Sequence, residues 1–246
     1  MNCLLVDNSN TRTKFALVAD DRIVEVRMIP TSGITEENIS LLLKEWHYAK
    51  VFICSVVPQA VPIIKQACQP AQVGILSAQM PLPVDFSSYE GLVTLGADRV
   101  ANALAASRET KSPVVAIDLG TATTFDVVHW EDGEVRFLGG VIAPGLSSYA
   151  QCLQGRTALL PTAIIVNEVG AIGKTTAAAL SSAVLLGYPA MIEGILSGIE
   201  KELGEKVNVV LTGGDAAWLA PRLSRCCKID PMLTLRGIAL AFGLRV

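Results

Sequence analysis

Two short apolar runs in this chain end in aspartate and open into turns of small residues, and this repeat constrains the fold more than any other feature. Residues 2–7 read Asn-Cys-Leu-Leu-Val-Asp and lead into Asn8-Ser9-Asn10-Thr11. Residues 114–118 read Val-Val-Ala-Ile-Asp and lead, past Leu119, into Gly120-Thr121-Ala122-Thr123. Two strands follow each turn: residues 13–19 and 23–29 around Asp20-Asp21, then 125–130 and 135–138 around Glu131-Asp132-Gly133. The order strand, Asp, polar turn, strand, acidic turn, strand therefore occurs twice, with Asp7 and Asp118 at matching places. Such self-similarity reads as an internal duplication. It divides the chain near residue 112, into domains 1–112 and 113–246.

The remaining pattern is that of an α/β protein. Residues 39–45, 61–68 and 97–108 read as helices, and 51–57 as a buried strand stopped by Pro58. Residues 73–76 form a short strand, and 78–88, with two prolines and no period, a connection. A long helix is expected over 175–196, a strand over 207–211, a Thr212-Gly213-Gly214-Asp215 turn, and a last helix from residue 235. The 246 residues suffice for two domains, and 51% hydrophobic content excludes a disordered chain. Twenty basic against 23 acidic residues give a net charge of −3 without a basic cluster, which argues against a nucleic-acid partner. Only 17% of residues are charged, against about 25% in typical soluble domains, so surface is expected to be buried in an oligomer.

The N-terminal residues lack the basic start and longer apolar stretch of a signal peptide, so a cytoplasmic location is expected. The uncharged run 175–192 is long enough to raise a membrane reading. Its Ala, Ser and Thr content, with Gly187 and Pro189, favours a buried helix and no membrane. The six cysteines form no CxxC pair and have no histidine at metal-ligand spacing, so they read as reduced thiols.

A strand that delivers an aspartate into a turn of small hydroxyl-bearing residues has a chemical use. Backbone N–H groups and hydroxyls cradle phosphate oxygens, and the carboxylate holds a cation directly or through water. One copy alone reads better as a turn starter. Two copies at matching places favour a nucleoside triphosphate clamped between two lobes. The candidates are Asp7, Asn8, Ser9, Asn10, Thr11 and Arg12 in the first turn, and Gly120, Thr121, Ala122 and Thr123 in the second. Gly213 and Gly214 add a third turn, where backbone can approach adenine or ribose closely.

These turns resemble those of the actin-like ATPase and sugar-kinase superfamily. Further segments narrow the likeness: Cys54-Ser55-Val56-Val57-Pro58, Gly96-Ala97-Asp98-Arg99, Gly139-Gly140-Val141-Ile142-Ala143-Pro144-Gly145, Ile172-Gly173-Lys174-Thr175-Thr176 and Leu233-Thr234-Leu235-Arg236-Gly237. Together they resemble type III pantothenate kinase over essentially the whole chain. The resemblance implies two duplicated ribonuclease-H-like α/β domains with mixed sheets and an interdomain cleft. It implies ATP-dependent phosphorylation of pantothenate, the first step towards coenzyme A, with Mg²⁺ and a monovalent cation, K⁺ or NH₄⁺.

By the same resemblance, Asp98 is the general base and Arg99 anchors the pantothenate carboxylate. Tyr89, Gly96, Ala97 and Thr176 line the pocket, with Thr176 supplied by the neighbouring subunit of a homodimer. Lys14 matches a basic position of the ATP site, and Asp118 the monovalent-cation ligand. Without the resemblance, Asp98, Tyr89 and Thr176 read better as a helix-start acid, a loop aromatic and a first-turn residue. Three positions depart from the usual family pattern: Ser9 stands for Gly, Leu92 for Pro and Ala183 for Gly. Two other readings stay open: another small-molecule kinase of the superfamily, or a non-catalytic regulatory protein on the same scaffold.

Overall fold

The computed structural model describes residues 2–131, 133–152 and 170–246. Its first sheet is built from β1 (Cys3–Asn8), β2 (Arg12–Ala19), β3 (Arg22–Pro30), β4 (Lys50–Ser55) and β5 (Gln72–Ile75), in the order β3-β2-β1-β4-β5. β1 is antiparallel to β2 and parallel to β4. The β2–β3 hairpin turns at Asp20 and Asp21, with φ of 49° and 55°. A two-residue loop that matches strand twist needs positive φ at both positions, and aspartate tolerates it.

Side-chain alternation sends successive β1 and β4 residues to opposite faces. Leu4, Val6, Val51 and Ile53 pack on one face with Ile39 and Leu43 of α1 (Glu36–Leu43) and Ala60 and Ile64 of α2 (Ala60–Ala67). Thr35 caps α1 by accepting from the Asn38 N–H, so this helix starts three residues before the sequence pattern placed it. The other face carries α3 (Ala97–Ala106) and the terminal helix, with Phe52 stacked on Phe242 at 4.2 Å between centroids.

The second half repeats the plan. It comprises β6 (Val114–Leu119), β7 (Ala122–Glu131), β8 (Glu134–Pro144), α4 (Leu146–Gln151), α5 (Thr176–Ser182), α6 (Tyr188–Leu203), β9 (Asn208–Thr212), α7 (Ala216–Leu219), β10 (Lys228–Ile229) and α8 (Leu233–Ala241). Its sheet runs β10-β9-β6-β7-β8, with β6 in the central place that β1 takes in the first sheet. β6 and β9 pair in parallel, with Asp118 opposite Thr212. The duplicated mixed sheets expected from the two Asp-ended strands are present. α4, α7 and the two-residue β10 were not read from the sequence.

The chain forms two compact units. One contains Met1–Lys111, Asp126–Gly139 and Met232–Val246, and the other Ser112–Phe125 and Gly140–Pro231. Within the first, α8 crosses α3 so closely that a Cβ on Gly237 would overlap the backbone of Ala101. The glycine of the Leu233–Gly237 segment thus serves helix packing. Thr234 Oγ1 seals the same crossing with a 2.8 Å hydrogen bond to buried Asn102.

The long apolar helix departs from expectation in two ways. A single π turn over Ala183–Gly187 separates α5 from α6. Pro189 has no N–H for the carbonyl four residues earlier, and its ring crowds that carbonyl; a widened turn relieves both. The helix is also not wholly buried. Ser181, Ser182, Val184, Tyr188, Ile192 and Leu196 face inward, while Thr176, Ala179, Ala183, Leu186 and Ala190 form an exposed stripe. By length and composition 176–203 would pass as a membrane span, with 39% of its apolar window buried. None of the six cysteines is joined in a disulfide.

Candidate active site

The first part of the site stands where β1 and β4 end. Asp7 and Asn8 close β1 and are buried. The β1–β2 register sets Asp7 opposite Lys14, whose Nζ lies 3.3 Å from Asp7 Oδ2. Ser9 Oγ donates to Asp7 Oδ1 at 2.9 Å, so both carboxylate oxygens are held. Among the described residues, positive φ outside glycine occurs only at Asp20 and Asp21. Ser9 therefore meets no left-handed penalty, and its hydroxyl serves Asp7.

Asn8 locks the turn from beneath. Its Nδ2 donates to Thr13 Oγ1 at 2.7 Å, and its Oδ1 accepts from Ser55 Oγ at 2.6 Å. Ser9 N donates to Arg12 O at 3.2 Å, which leaves Asn10, Thr11 and Arg12 exposed at the tip. A buried carboxylate beside a lysine, under a rigid polar tip, suits phosphate oxygens and their counter-cation.

The second part is the start of α3, in the same unit. The first turn of a helix has unpaired N–H groups and favours negative charge. Asp98 sits there, and its Oδ1 accepts from Arg99 N at 2.8 Å. A Cβ on Gly96 would lie 2.5 Å from that oxygen, so only glycine leaves the carboxylate this position. Burial pushes the Asp98 pKa above the usual carboxylate range. The Arg99 N–H pulls it back, and the Asp7 carboxylate pushes it further up.

Arg99 is itself buried, at 7% exposure. Its Nε donates to Asp126 Oδ1 at 2.6 Å, and its guanidinium carbon lies 5.7 Å from the Phe137 ring centroid. Burial opposes the arginine charge, but Asp126 and then Tyr89 outweigh it and raise the pKa. The Tyr89 ring meets Phe137 edge-on at 5.5 Å. Beside this helix start lies a cavity of about 380 Å³ lined by Ser55, Val56, Leu92, Leu95, Gly96 and Ala97 among others. A larger cavity of about 800 Å³ lies under the 78–87 connection and involves none of the candidate residues.

The other unit carries the second and third turns. Asp118 lies at the end of β6, next to the turn that follows β9. Gly213 has φ of 89°, and a Cβ there would lie 2.5 Å from Leu119 O and 2.6 Å from Asp118 Oδ1. Glycine is thus required twice over, for its conformation and for its approach to Asp118. Gly120, Thr121 and Ala122 are exposed, and Thr121 O accepts from Gly145 N at 3.3 Å. Thr123 is fully buried, its hydroxyl 2.6 Å from that of Tyr188. Gly214 and Thr176 are exposed. Thr176 is the first residue of α5, and the capping role falls to Thr175, which accepts from Ala178 N at 3.1 Å.

Comparison with known proteins gives the family. The profile of the type III pantothenate kinase family matches residues 3–198. The chain belongs to that family. A type III pantothenate kinase of Akkermansia muciniphila is 37% identical over 248 aligned residues, covering all of both chains. One from Methylacidiphilum infernorum is also 37% identical, over 96% of this chain and 86% of its own. Among solved structures, a conserved Baf family protein from Campylobacter jejuni aligns with a TM-score of 0.63 at 22% identity, covering 96% of each chain. A glucokinase from an Antarctic psychrotroph aligns with a TM-score of 0.55 at 11% identity, covering 97% of this chain and 98% of its own. These last two likenesses concern the fold alone.

Asp126 was missed in the sequence. The one available signal was an acid inside the apolar run Phe125-Asp126-Val127-Val128, where strands seldom carry one. Ser55 stood in a recognised segment, but its bond to Asn8 shows only in the fold.

Proposed function

We propose that this chain transfers the γ-phosphoryl group of ATP to the primary hydroxyl of pantothenate, giving 4′-phosphopantothenate at the start of coenzyme A synthesis. The observation that carries the reading, within a family of that activity, is the start of α3. There a half-buried carboxylate, Asp98, adjoins a buried arginine, Arg99, beside a small cavity. In the reaction the substrate hydroxyl gives its proton to Asp98. Its oxygen bonds to the γ-phosphorus, the bond from that phosphorus to the bridging oxygen breaks, and ADP departs. Such transfer relies mainly on positioning and charge neutralisation, so a modest base suffices.

Arg99 grips the substrate carboxylate, with Tyr89, Gly96, Ala97 and a partner-supplied threonine at position 176 completing the pocket. Residues 7–12 with Lys14, residues 120–123, and Gly213 with Gly214 serve the nucleotide. Among the described residues no cluster of three or more metal-ligating side chains occurs. Asp7 would hold a Mg²⁺ brought by the nucleotide, since that ion needs few carboxylates. Bound there, it neutralises phosphate charge. Asp118, next to the carbonyl of Leu119, suits a K⁺ or NH₄⁺ ion. We place the enzyme in the cytoplasm as a homodimer, and the exposed small-residue stripe on α5 and α6 supports the dimer.

A coupled assay of ADP release tests the reading. ADP should form only when ATP and pantothenate are both present; equal ADP formation without pantothenate would contradict it. The rate should rise when K⁺ or NH₄⁺ replaces Na⁺ at constant ionic strength, and equal rates in all three salts would remove the cation site. Because a base must be ionised, kcat/KM should climb with pH through the Asp98 pKa. Burial and then Asp7 raise that pKa, so the acid limb should lie above the ordinary aspartate value of about 4. A limb at or below that value would count against Asp98.

A further inference from the structure

We propose that Asp126 is a positioning residue for substrate recognition, holding Arg99 so that one edge of its guanidinium faces the carboxylate of the acceptor. The inference rests on the reading of Arg99 as the carboxylate anchor. Asp126 lies mid-strand in β7, is 0% exposed, and accepts from Arg99 Nε at 2.6 Å. Both residues, with Tyr89 and Phe137, belong to one compact unit.

Three features separate this pair from a salt bridge that merely stabilises the fold. First, a buried ion pair is weak evidence for stability, because desolvation offsets its attraction. Second, the pair is joined through Nε and Oδ1: Arg99 Nη2 and Asp126 Oδ2 are both buried and make no hydrogen bond. A buried donor without a partner calls for an explanation, and a ligand oxygen supplies one. Third, Arg99 has a competing carboxylate next to it. Asp98 already senses the arginine charge. If nothing held Nε, the guanidinium would turn towards Asp98, which would take the recognition group from the substrate and neutralise the base. Asp126 from beneath and the Phe137 face together fix the arginine plane and prevent this.

The test uses the full-length enzyme with Asp126→Asn and Asp126→Glu, and two acceptors, pantothenate and its neutral primary amide. Asn keeps the shape and removes the charge; Glu keeps the charge and moves it by one methylene. Asp126→Asn should raise the KM for pantothenate about tenfold or more while the KM for ATP stays unchanged. Its preference for pantothenate over the amide should shrink by a similar factor. The acid limb of kcat/KM should move to lower pH, because Arg99 then pairs with Asp98, whose other charged neighbour is Asp7.

A folded Asp126→Asn enzyme with wild-type KM, preference and pH limb, differing only in melting temperature, would overturn the proposal. If that variant does not fold, Asp126→Glu decides: a raised pantothenate KM at constant ATP KM supports positioning, and a wild-type KM overturns it. Failure of the underlying reading shows separately. In that case the wild-type enzyme would take acid and amide equally well, and Arg99→Gln would leave the pantothenate KM unchanged.

Discussion

Replacing Asp98 by asparagine should cut turnover by about 10²–10⁴-fold and leave both KM values close to wild type. The substitution keeps the size of the side chain and an oxygen able to accept from the Arg99 N–H, which Asp98 Oδ1 does now at 2.8 Å. It removes the ionised oxygen that takes the hydroxyl proton. It also removes a charge that burial makes costly, so melting temperature should hold or rise. Steady-state kinetics on the purified variant check this. Near-normal turnover would show that Asp98 is a helix-start acid without a catalytic role. A large rise in pantothenate KM at normal kcat would assign it to binding instead.

The second large effect concerns assembly. Thr176 begins α5 exposed, and along the same face lie Ala179, Ala183, Leu186 and Ala190 at helical spacing. Small residues allow a second helix to approach, and an isologous contact places the same face of two subunits together. Ser181 and Ser182 do not share this face: they are buried and bond back to the carbonyls of Ala177 and Ala178. If Thr176 completes the partner's site, Asp98→Asn and Thr176→Trp should each be inactive alone. Refolding an equal mixture should place both lesions in one site of each mixed dimer and leave the other intact. Random pairing then restores roughly a quarter of wild-type activity. No recovery after demonstrated subunit exchange would mean that each subunit builds its own site.

Both predictions draw on features that were legible in the sequence to different degrees. Asp7 and Asp118 were found because a strand, an acid and a small-residue turn are all local signals, and their recurrence supplied what neither copy could alone. The Asp98-Arg99 pair was visible only through family likeness, since an acid and a base at a helix start are ordinary. Asp126 escaped because its meaning lies in a partner 27 residues away, and strand alternation says only that it is buried. The π turn was hidden for a related reason. Pro189 was in plain view, but a proline inside a helical pattern predicts a break or a kink equally well, and the widened turn shows only in the fold. Small residues on α5 and α6 were legible as a surface for a second helix, but not which of them face outward, because Ala, Ser and Thr at this spacing fit a core or an interface alike.

Phosphorus NMR of the reaction mixture tests phosphoryl transfer from ATP to the primary hydroxyl of pantothenate most directly. With enzyme, Mg²⁺, K⁺, ATP and pantothenate, the γ-phosphorus signal of ATP should be replaced by one phosphomonoester signal coupled to a CH₂ group, in equal amount to the ADP formed. Inorganic phosphate in place of the ester, or ATP left intact beside pantothenate, would contradict the account.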